Sequence, residues 1–393
     1  MDTAPLLSGT QMASIQQEIR FCRAGDGGRI AVASVGKGPP LLRAGHWLSH
    51  VELEASSPVW KPWLRALSKN HTYIRYDQRG CGLSDWTPAS LSLEDWFNDL
   101  ETVVDALRLR RFALFGMSHG AAVAIAYAAR YPERVSHVVL LGPFVKGRLR
   151  RERSIRQDEE AEMLTSLMRI GWTQANPAFR QVFTMLLMPD GTPEQHQWFN
   201  DLKRHCTLPD TAVAMRQAVH EIDITEPAQT VHTPTLVLHA HDDAVVPFEE
   251  GRRLAALIPS ARFVPLRSRN HILLETEPAW SQFLAEVRTF LANDRSLVAK
   301  PTSDDPGAGL TPAEMQVFAL LARGQDNVAI GSRLGKSAKT VRNQVSSILG
   351  KLQVRTRAEA VSRARDAGIG AVSDQEADIP HRKFASCPGT GSS

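Results

Sequence analysis

The chain of 393 residues is longer than one typical core and accommodates two domains. Its 43% hydrophobic and 22% charged residues exclude a fibrous or largely disordered chain, and its longest apolar runs are too short for a transmembrane helix. The net charge of +4 is unremarkable as a mean, and the four cysteines (Cys22, Cys81, Cys206, Cys387) lack the CxxC spacing of metal or redox sites. They read as reduced thiols in a cytoplasmic protein. The first sixteen residues have neither the basic nor the apolar segment of a secretory leader, so a flexible start over 1–16 is expected.

From residue 17 the predicted elements alternate. Glu18–Arg23 and Arg29–Val35 flank the turn Gly25-Asp26-Gly27-Gly28 as a hairpin. Short apolar runs follow at Leu41–Ala44, Thr72–Tyr76, Phe112–Phe115, His137–Leu141, Thr235–His239 and, more weakly, Arg262–Leu266. Helical patterns fill roughly 59–69, 92–107, 119–130, 249–257 and 278–291. This alternation predicts an α/β fold with a doubly wound, mostly parallel sheet over 17–292. The stretch from Leu141 to Thr235 is too long for one crossover, and its Met- and Trp-bearing helical segments predict a cap inserted over about 143–232. Residues 293–309 have the Pro, Ser, Asp and Gly of a linker, and 371–393 read as a disordered tail.

Gly116-Met117-Ser118-His119-Gly120 directly follows the run Phe112–Phe115 and opens the Ala-rich helical stretch Ala121–Arg130. Gly-x-Ser-x-Gly between a strand and a helix forms a nucleophile elbow, in which a sharp turn lifts the serine hydroxyl above the sheet. A serine nucleophile needs a base, and the base needs an orienting acid. Asp242 and Asp243 follow the run Thr235–His239, and His271 follows the next one, so acid and base come in the order Ser, Asp, His. His119 is expected to turn its ring away from the Ser118 hydroxyl, while its backbone N–H is the first oxyanion donor. His239 and His241 read as packing or loop residues.

With Asp77-Gln78-Arg79-Gly80-Cys81-Gly82-Leu83-Ser84 matching a D-x-R-G-x-G-x-S stretch, residues from about 20 to 292 resemble the α/β-hydrolase family. The resemblance implies a Ser118, Asp243, His271 triad acting on a carboxylic ester or related acyl bond, without cofactor or metal. The family's D-x-x-V-P pattern puts the acid at Asp243, with Asp242 as the alternative. Many members carry Gly-x-Pro, four apolar residues, then His-Gly and an aromatic. Here Gly38-Pro39-Pro40 leads through Leu41, Leu42, Arg43 and Ala44 to Gly45-His46-Trp47, so the His-Gly order is reversed. Trp47, at the aromatic position, is the expected second oxyanion donor, with His46 as fallback.

The mean charge conceals an asymmetry. Residues 306–370 hold ten basic and four acidic side chains, net +6, whereas 1–305 are net −1. Such a concentrated excess suits an anionic partner such as nucleic acid. Thr311-Pro312-Ala313-Glu314 is a capping box with Pro at the first helical position, and Gly324 closes that helix. Asn327–Leu334, a helix capped by Ser337, and one opened by Thr356-Arg357-Ala358-Glu359 complete a four-helix module over 310–370 with a helix–turn–helix in its middle. In the third helix Val341, Val345, Ile348 and Leu352 form one apolar stripe. Lys339, Thr340, Arg342, Asn343 and Ser346 occupy the remaining face, which suits either plain solvation or the reading of base edges and phosphates in a major groove.

This segment resembles the LuxR-type DNA-binding domain. It carries L-T-x-x-E at Leu310–Glu314, A-x-G at Ala322–Gly324, N-x-x-I at Asn327–Ile330, S-x-K-T-V at Ser337–Val341, K-L at Lys351-Leu352 and R-A-E-A at Arg357–Ala360. It departs at Gln344, where the family usually has His, and at Gly331, where it usually has Ala. The resemblance implies double-stranded DNA as partner and a homodimer on two half-sites, formed through the fourth helix. The whole chain then reads as a cytoplasmic transcriptional regulator whose hydrolase-like domain senses a small ester-, lactone- or amide-type ligand and is equipped to hydrolyse it, with no membrane partner. The alternative is a metabolic serine hydrolase of esterase type with an accessory helical domain. Met163, Met168, Trp172, Phe179, Phe183, Met185 and Trp198 of the cap fit an apolar or ring-bearing ligand, as they fit ordinary core.

Overall fold

The structure, a computed structural model, describes residues 15–152, 154–292, 310–352, 354, 356–366 and 369. The expected flexible start over 1–16, except Ile15 and Gln16, the linker over 293–309 and the tail over 371–393 lie outside the described residues. The chain divides into two compact units, Met1–Leu297 and Val298–Ser393.

The first unit is built on eight strands: β1 (Glu18–Arg23), β2 (Arg29–Val35), β3 (Pro40–Arg43), β4 (Thr72–Asp77), β5 (Phe112–Met117), β6 (Val135–Leu141), β7 (Thr235–Ala240) and β8 (Ala261–Leu266). They form one sheet in the order β1-β2-β4-β3-β5-β6-β7-β8. The β1–β2 and β2–β4 pairings are antiparallel, and every pairing from β4 through β8 is parallel. Among the described residues this unit has eleven α-helices: α1 (Val51–Glu54), α2 (Lys61–Leu67), α3 (Leu93–Ala106), α4 (His119–Arg130), α5 (Ile155–Gly171), α6 (Ala178–Leu187), α7 (Pro193–Cys206), α8 (Pro209–His220), α9 (Thr225–Thr230), α10 (Phe248–Leu257) and α11 (Pro278–Ala292). The sequence pattern did not mark α1, which at four residues is too short to show a period.

A strand covered on both faces has no polar side to alternate with, and β5 to β7 accordingly read as continuous apolar runs. Within β5, Ala113, Phe115 and Met117 share a core with Trp63 of α2 and Phe283 and Val287 of α11. Phe112 and Leu114 enter the opposite core with Phe97 and Val103 of α3, Ile125 of α4 and Leu254 of α10. This two-sided burial fixes β5, whose C-terminal end carries Ser118.

Of the helices between β6 and β7, α5 to α8 form the cap, and α9 packs against α4 and α10 in the core of the sheet. The tie of the cap to the loop after β8 is made of backbone and ionic bonds: Ile272 N–H donates to the Leu187 carbonyl (3.0 Å), Asp190 N–H to Asn270 Oδ1 (3.0 Å), and Arg269 pairs with Asp190 (2.6 Å). Gly82 N–H reaches the Cys206 carbonyl (2.7 Å). Inside the cap, buried Arg180 closes the end of α5 by donating to the Gly171 and Trp172 carbonyls and also bonds the Asn200 carbonyl (each 3.0 Å). Buried Lys203 donates to the Arg180 carbonyl (3.0 Å), and its burial lowers its pKa well below the usual lysine value.

The D-x-R-G-x-G-x-S stretch is structural. Asp77 accepts from Val51 N–H (3.0 Å) and Leu83 N–H (2.9 Å), and Arg79 pairs with Asp99 (2.8 Å), Asp26 (2.9 Å) and Asp95 (3.3 Å).

The second unit holds α12 (Pro312–Ala322), α13 (Asn327–Leu334), α14 (Ala338–Leu352) and α15 (Arg357–Asp366) around Phe318, Leu321, Ile330, Val341, Val345, Ile348, Leu352 and Ala360. Both halves of the Thr311–Glu314 capping box are present, and Asp326 caps α13 through Val328 and Ala329 N–H. Among the described residues no helix is long and apolar enough to cross a membrane.

Because Asp99 is fully buried against Arg79, Asp99→Ala removes the buried partner of a largely buried cation and leaves it only the more exposed Asp26 and Asp95. Loss of Asp99 is expected to destabilise the first unit by about 2–4 kcal/mol, read as a lowered urea midpoint with unchanged slope.

Candidate active site and nucleic-acid interface

Ser118 sits between β5 and α4 at φ 52° and ψ −127°, a conformation that L residues adopt only when their surroundings impose it. Those surroundings are specific. Ser118 N–H donates to the Leu141 carbonyl at the end of β6 (3.0 Å). A Cβ on Gly116 would lie 2.5 Å from Ala121 Cα, and one on Gly120 would lie 2.7 Å from the Gly45 carbonyl oxygen. The two glycines of the motif are therefore demanded by close approach, and the second presses the start of α4 against the loop after β3.

Asp243 and His271 are joined by a 2.6 Å bond between Oδ2 and Nδ1, with both side chains almost wholly buried. The other oxygen of Asp243 accepts Val245 N–H (2.8 Å) and Val246 N–H (3.0 Å). Burial works to raise the Asp243 pKa, but His271, then the Val246 N–H and His239, outweigh it and hold the carboxyl below its usual value. A carbon on Gly142, the residue after Leu141, would lie 2.9 Å from His271 Cε1, so this pair lies against the strand end that also holds Ser118. His271 Nε2 is buried and has no hydrogen-bond partner among the described residues. Asp242, the alternative acid, is exposed and pairs with exposed His241 (2.8 Å). His239 is buried, and its Nε2 lies 3.1 Å from the Val246 carbonyl and 3.7 Å from Asp243 Oδ2.

His119 opens α4, and its ring turns away into the core. Nε2 meets Gln78 Oε1 (3.1 Å), the ring lies 4.9 Å from Trp96, and burial lowers its pKa to about 3. Its backbone lies in the first turn beside Ser118. Trp47 lies in the turn after β3, with its ring 6.0 Å from Trp172 and 6.3 Å from Phe183 of the cap. His46 is buried with Nδ1 2.8 Å from the Trp47 carbonyl.

In the second unit, Val341, Val345, Ile348 and Leu352 of α14 are buried, and Lys339, Thr340, Arg342, Asn343 and Ser346 are all exposed. The Ser337 side chain caps the helix by accepting Thr340 N–H (3.1 Å) and lies 2.8 Å from the Thr340 hydroxyl. Gln344 is half-buried and accepts a bond from Lys336 (3.2 Å). Two sets of polar residues escaped the sequence reading. Glu314 joins α12 to α14 by accepting Lys351 Nζ (2.6 Å) and the Ser347 hydroxyl (2.7 Å). Beside β3, Arg43, Glu54 and Arg75 form a buried ionic cluster. The charge of Arg43 within an apolar strand run was the one sequence signal of it. Among the described residues no three His, Cys, Asp or Glu side chains converge as a metal site.

A capped parallel sheet with a serine elbow and a buried Asp–His pair defines a hydrolase-type unit. The comparisons with known proteins place it. Residues 65–264 match the family described as serine aminopeptidase, S33, and residues 308–364 match that described as bacterial regulatory proteins, luxR family. The chain belongs to this α/β-hydrolase family and carries a LuxR-type helix–turn–helix DNA-binding domain behind it. Pyrrolizixenacetamide deacetylase of Xenorhabdus hominickii is 28% identical over 263 residues, 66% of this chain and 93% of the relative. A putative carbamate hydrolase RutD of Pantoea ananatis is 26% identical over 232 residues, 58% and 81% of the two chains. Among solved structures, an esterase from Exiguobacterium antarcticum (TM-score 0.59, 22% identity, 69% of this chain and 98% of that one) and a bromoperoxidase from Bacillus anthracis (TM-score 0.59, 20% identity, 70% and 100%) share the fold.

Hydrogen bonds from Lys351 first, then from Thr311 N–H and Ser347, hold the Glu314 carboxyl at about 2, below its ordinary 4.5. A carboxyl depressed in the folded state stabilises above its unfolded value and loses that contribution as pH falls. Amide exchange of α12 and α14 is therefore expected to accelerate between about pH 4.5 and pH 2 relative to the Glu314→Gln chain, in which this component of the pH response is absent.

Proposed function

We propose that the chain is a DNA-binding transcriptional regulator whose hydrolase unit binds a small acyl compound and cleaves it with Ser118, Asp243 and His271. The observation that carries this reading is the state of His271: Nδ1 is engaged by Asp243, while the buried Nε2 is left without a partner beside the strand end that holds Ser118. In this scheme Nε2 takes the Ser118 proton as Oγ attacks the acyl carbon, and Asp243 stabilises the imidazolium that forms. The developing oxyanion is received by the backbone N–H groups of His119 and Trp47, each worth about 3 kcal/mol in sites of this kind. The protonated imidazole then gives its proton to the leaving group; a water molecule, deprotonated by His271, attacks the acyl carbon, and His271 returns that proton to Ser118 Oγ as the acyl–Oγ bond breaks.

The substrate is an ester, lactone or amide. One relative is named a deacetylase and another a putative carbamate hydrolase, which supports that class. Trp172 and Phe183, which approach Trp47 from the cap, favour an apolar or ring-bearing acyl group. In the DNA-binding unit Arg342 and Asn343 read base edges, while Lys339, Thr340 and Ser346 meet phosphates or base edges, and two copies occupy two half-sites. Ligand in the hydrolase unit sets the affinity of the dimer for its operator. The protein acts in the cytoplasm.

Two measurements test these assignments. An alkyl fluorophosphonate is expected to label Ser118 and not the Ser118→Ala chain, and Asp243→Asn to slow labelling roughly 10³–10⁴-fold while Asp242→Asn leaves it near the wild-type rate. Labelling that persists in Ser118→Ala sinks the nucleophile assignment. With an operator obtained by selection on the full chain, Arg342→Ala is expected to cost about 1–3 kcal/mol of specific affinity without unfolding the domain. Unchanged affinity removes Arg342 from the reading set.

A further inference from the structure

The second oxyanion donor stands in a loop that breaks the usual motif, so something other than that motif must hold it. The loop from Gly45 to His50 joins β3 to α1, and Leu48 within it takes φ 64°, a conformation unfavourable for leucine. One side of the loop is set by the Gly45 carbonyl pressing on Gly120 of the elbow helix. The other side rests on His46. A carbonyl oxygen only accepts, so the 2.8 Å contact between His46 Nδ1 and the Trp47 carbonyl requires the proton on Nδ1. Burial first, then the Arg43 charge, lowers the His46 pKa to about 3, which leaves a neutral ring with a bare Nε2.

What fixes the ring is a buried ionic cluster. His46 lies against Trp60 with ring centroids 5.2 Å apart, and the Arg43 guanidinium lies over the same indole at 5.4 Å. Arg43 Nη2 donates to both oxygens of Glu54 (2.9 and 3.0 Å), and Arg75 closes the other side of that carboxylate and reaches Gln17. Glu54 Oε1 stops 3.9 Å from His46 Nε2, too far for a hydrogen bond. Burial works against the Glu54 charge, but Arg43 and then Arg75 hold its pKa at about 2. Arg43 and Glu54 thus wall in a ring whose one hydrogen bond among the described residues goes to the loop. A buried ion cluster of this kind is weak as a source of stability, because desolvation offsets most of its attraction.

We infer that His46 is a positioning residue for the oxyanion hole: seated on Trp60 by the Arg43–Glu54–Arg75 cluster, it pins the Trp47 carbonyl and thereby holds the Trp47 turn in the geometry that presents its N–H beside His119. This rests on the hydrolase reading of Ser118. It assigns a task to the reversed Gly45-His46 order: the imidazole supplies by hydrogen bond the loop conformation that the usual motif supplies otherwise.

The test uses the full chain and the second-order rate of Ser118 labelling by an alkyl fluorophosphonate, whose phosphoryl oxygen gains negative charge as Ser118 Oγ attacks and fluoride leaves, and so draws on the same donors as an acyl oxyanion. Nδ1 of histidine is matched in position by the side-chain nitrogen of Asn, whereas Gln matches Nε2. His46→Ala and His46→Gln are expected to slow labelling at least tenfold, and His46→Asn to restore it to within about threefold of wild type. Melting temperature is followed in all three variants. A packing role alone moves stability and ranks Gln at or above Asn, so that ranking in the rates overturns the inference, as does a wild-type rate in folded His46→Ala. If alanine does not fold, the Asn and Gln variants decide alone. Failure of the wild-type chain itself to label is a different result, which overturns the hydrolase reading together with this one.

Discussion

The first unit depends on one strained residue. Ser118 at φ 52° cannot hold that conformation alone, and its neighbours explain why the motif has its form. The parallel pairing of β5 with β6 brings the Leu141 carbonyl to the Ser118 N–H, and glycines on either side let α4 turn back without a clash. The same β6 end places Gly142 against His271. Strand order therefore sets the site: β7 follows β6 in the sheet, so the residues after β7 and β8 arrive where β5 has left its serine.

The cap is bonded to that arrangement. The segment from Leu187 to Asp190 holds the residues on both sides of His271, and Trp172 and Phe183 meet Trp47. Under the proposed mechanism, movement of the cap on ligand binding would reach His271 and the Trp47 turn together. The second unit solves another problem. Four short helices cannot be stable by propensity alone, and they gain rigidity from caps at both helix ends and from Glu314, which joins α12 to the C-terminal half of α14. That leaves the exposed face of α14 unconstrained by core packing and available to a polyanion.

Much of this was legible in the sequence because it is written in local periods and local chemistry. The apolar runs from Thr72, Phe112, His137 and Thr235 each became a strand that starts within two residues of the run, and the stripe from Val341 to Leu352 is buried as its spacing requires. The elbow was visible because Gly-x-Ser-x-Gly falls between an apolar strand run and an Ala-rich helical stretch. What escaped depends on contacts between distant positions. The D-x-x-V-P pattern favoured Asp243 over Asp242, but only the fold shows that Asp243 is buried against His271 while Asp242 is exposed. Arg43, Glu54 and Arg75 stand on three elements, and only the pairing of β3 with β4 brings both arginines to one carboxylate. Glu314 read as a capping residue, which it is, but its bonds to Ser347 and Lys351 span more than thirty positions.

One chain thus joins a hydrolase fold to a LuxR-type DNA-binding domain, and in the function proposed above occupancy of the first governs the second. The most direct measurement is the affinity of the full chain for its selected operator at fixed salt, before and after stoichiometric phosphonylation of Ser118. The account predicts a change in dissociation constant of about tenfold or more, in either direction, absent in Ser118→Ala treated the same way. Identical affinities for the free and phosphonylated chain would contradict it.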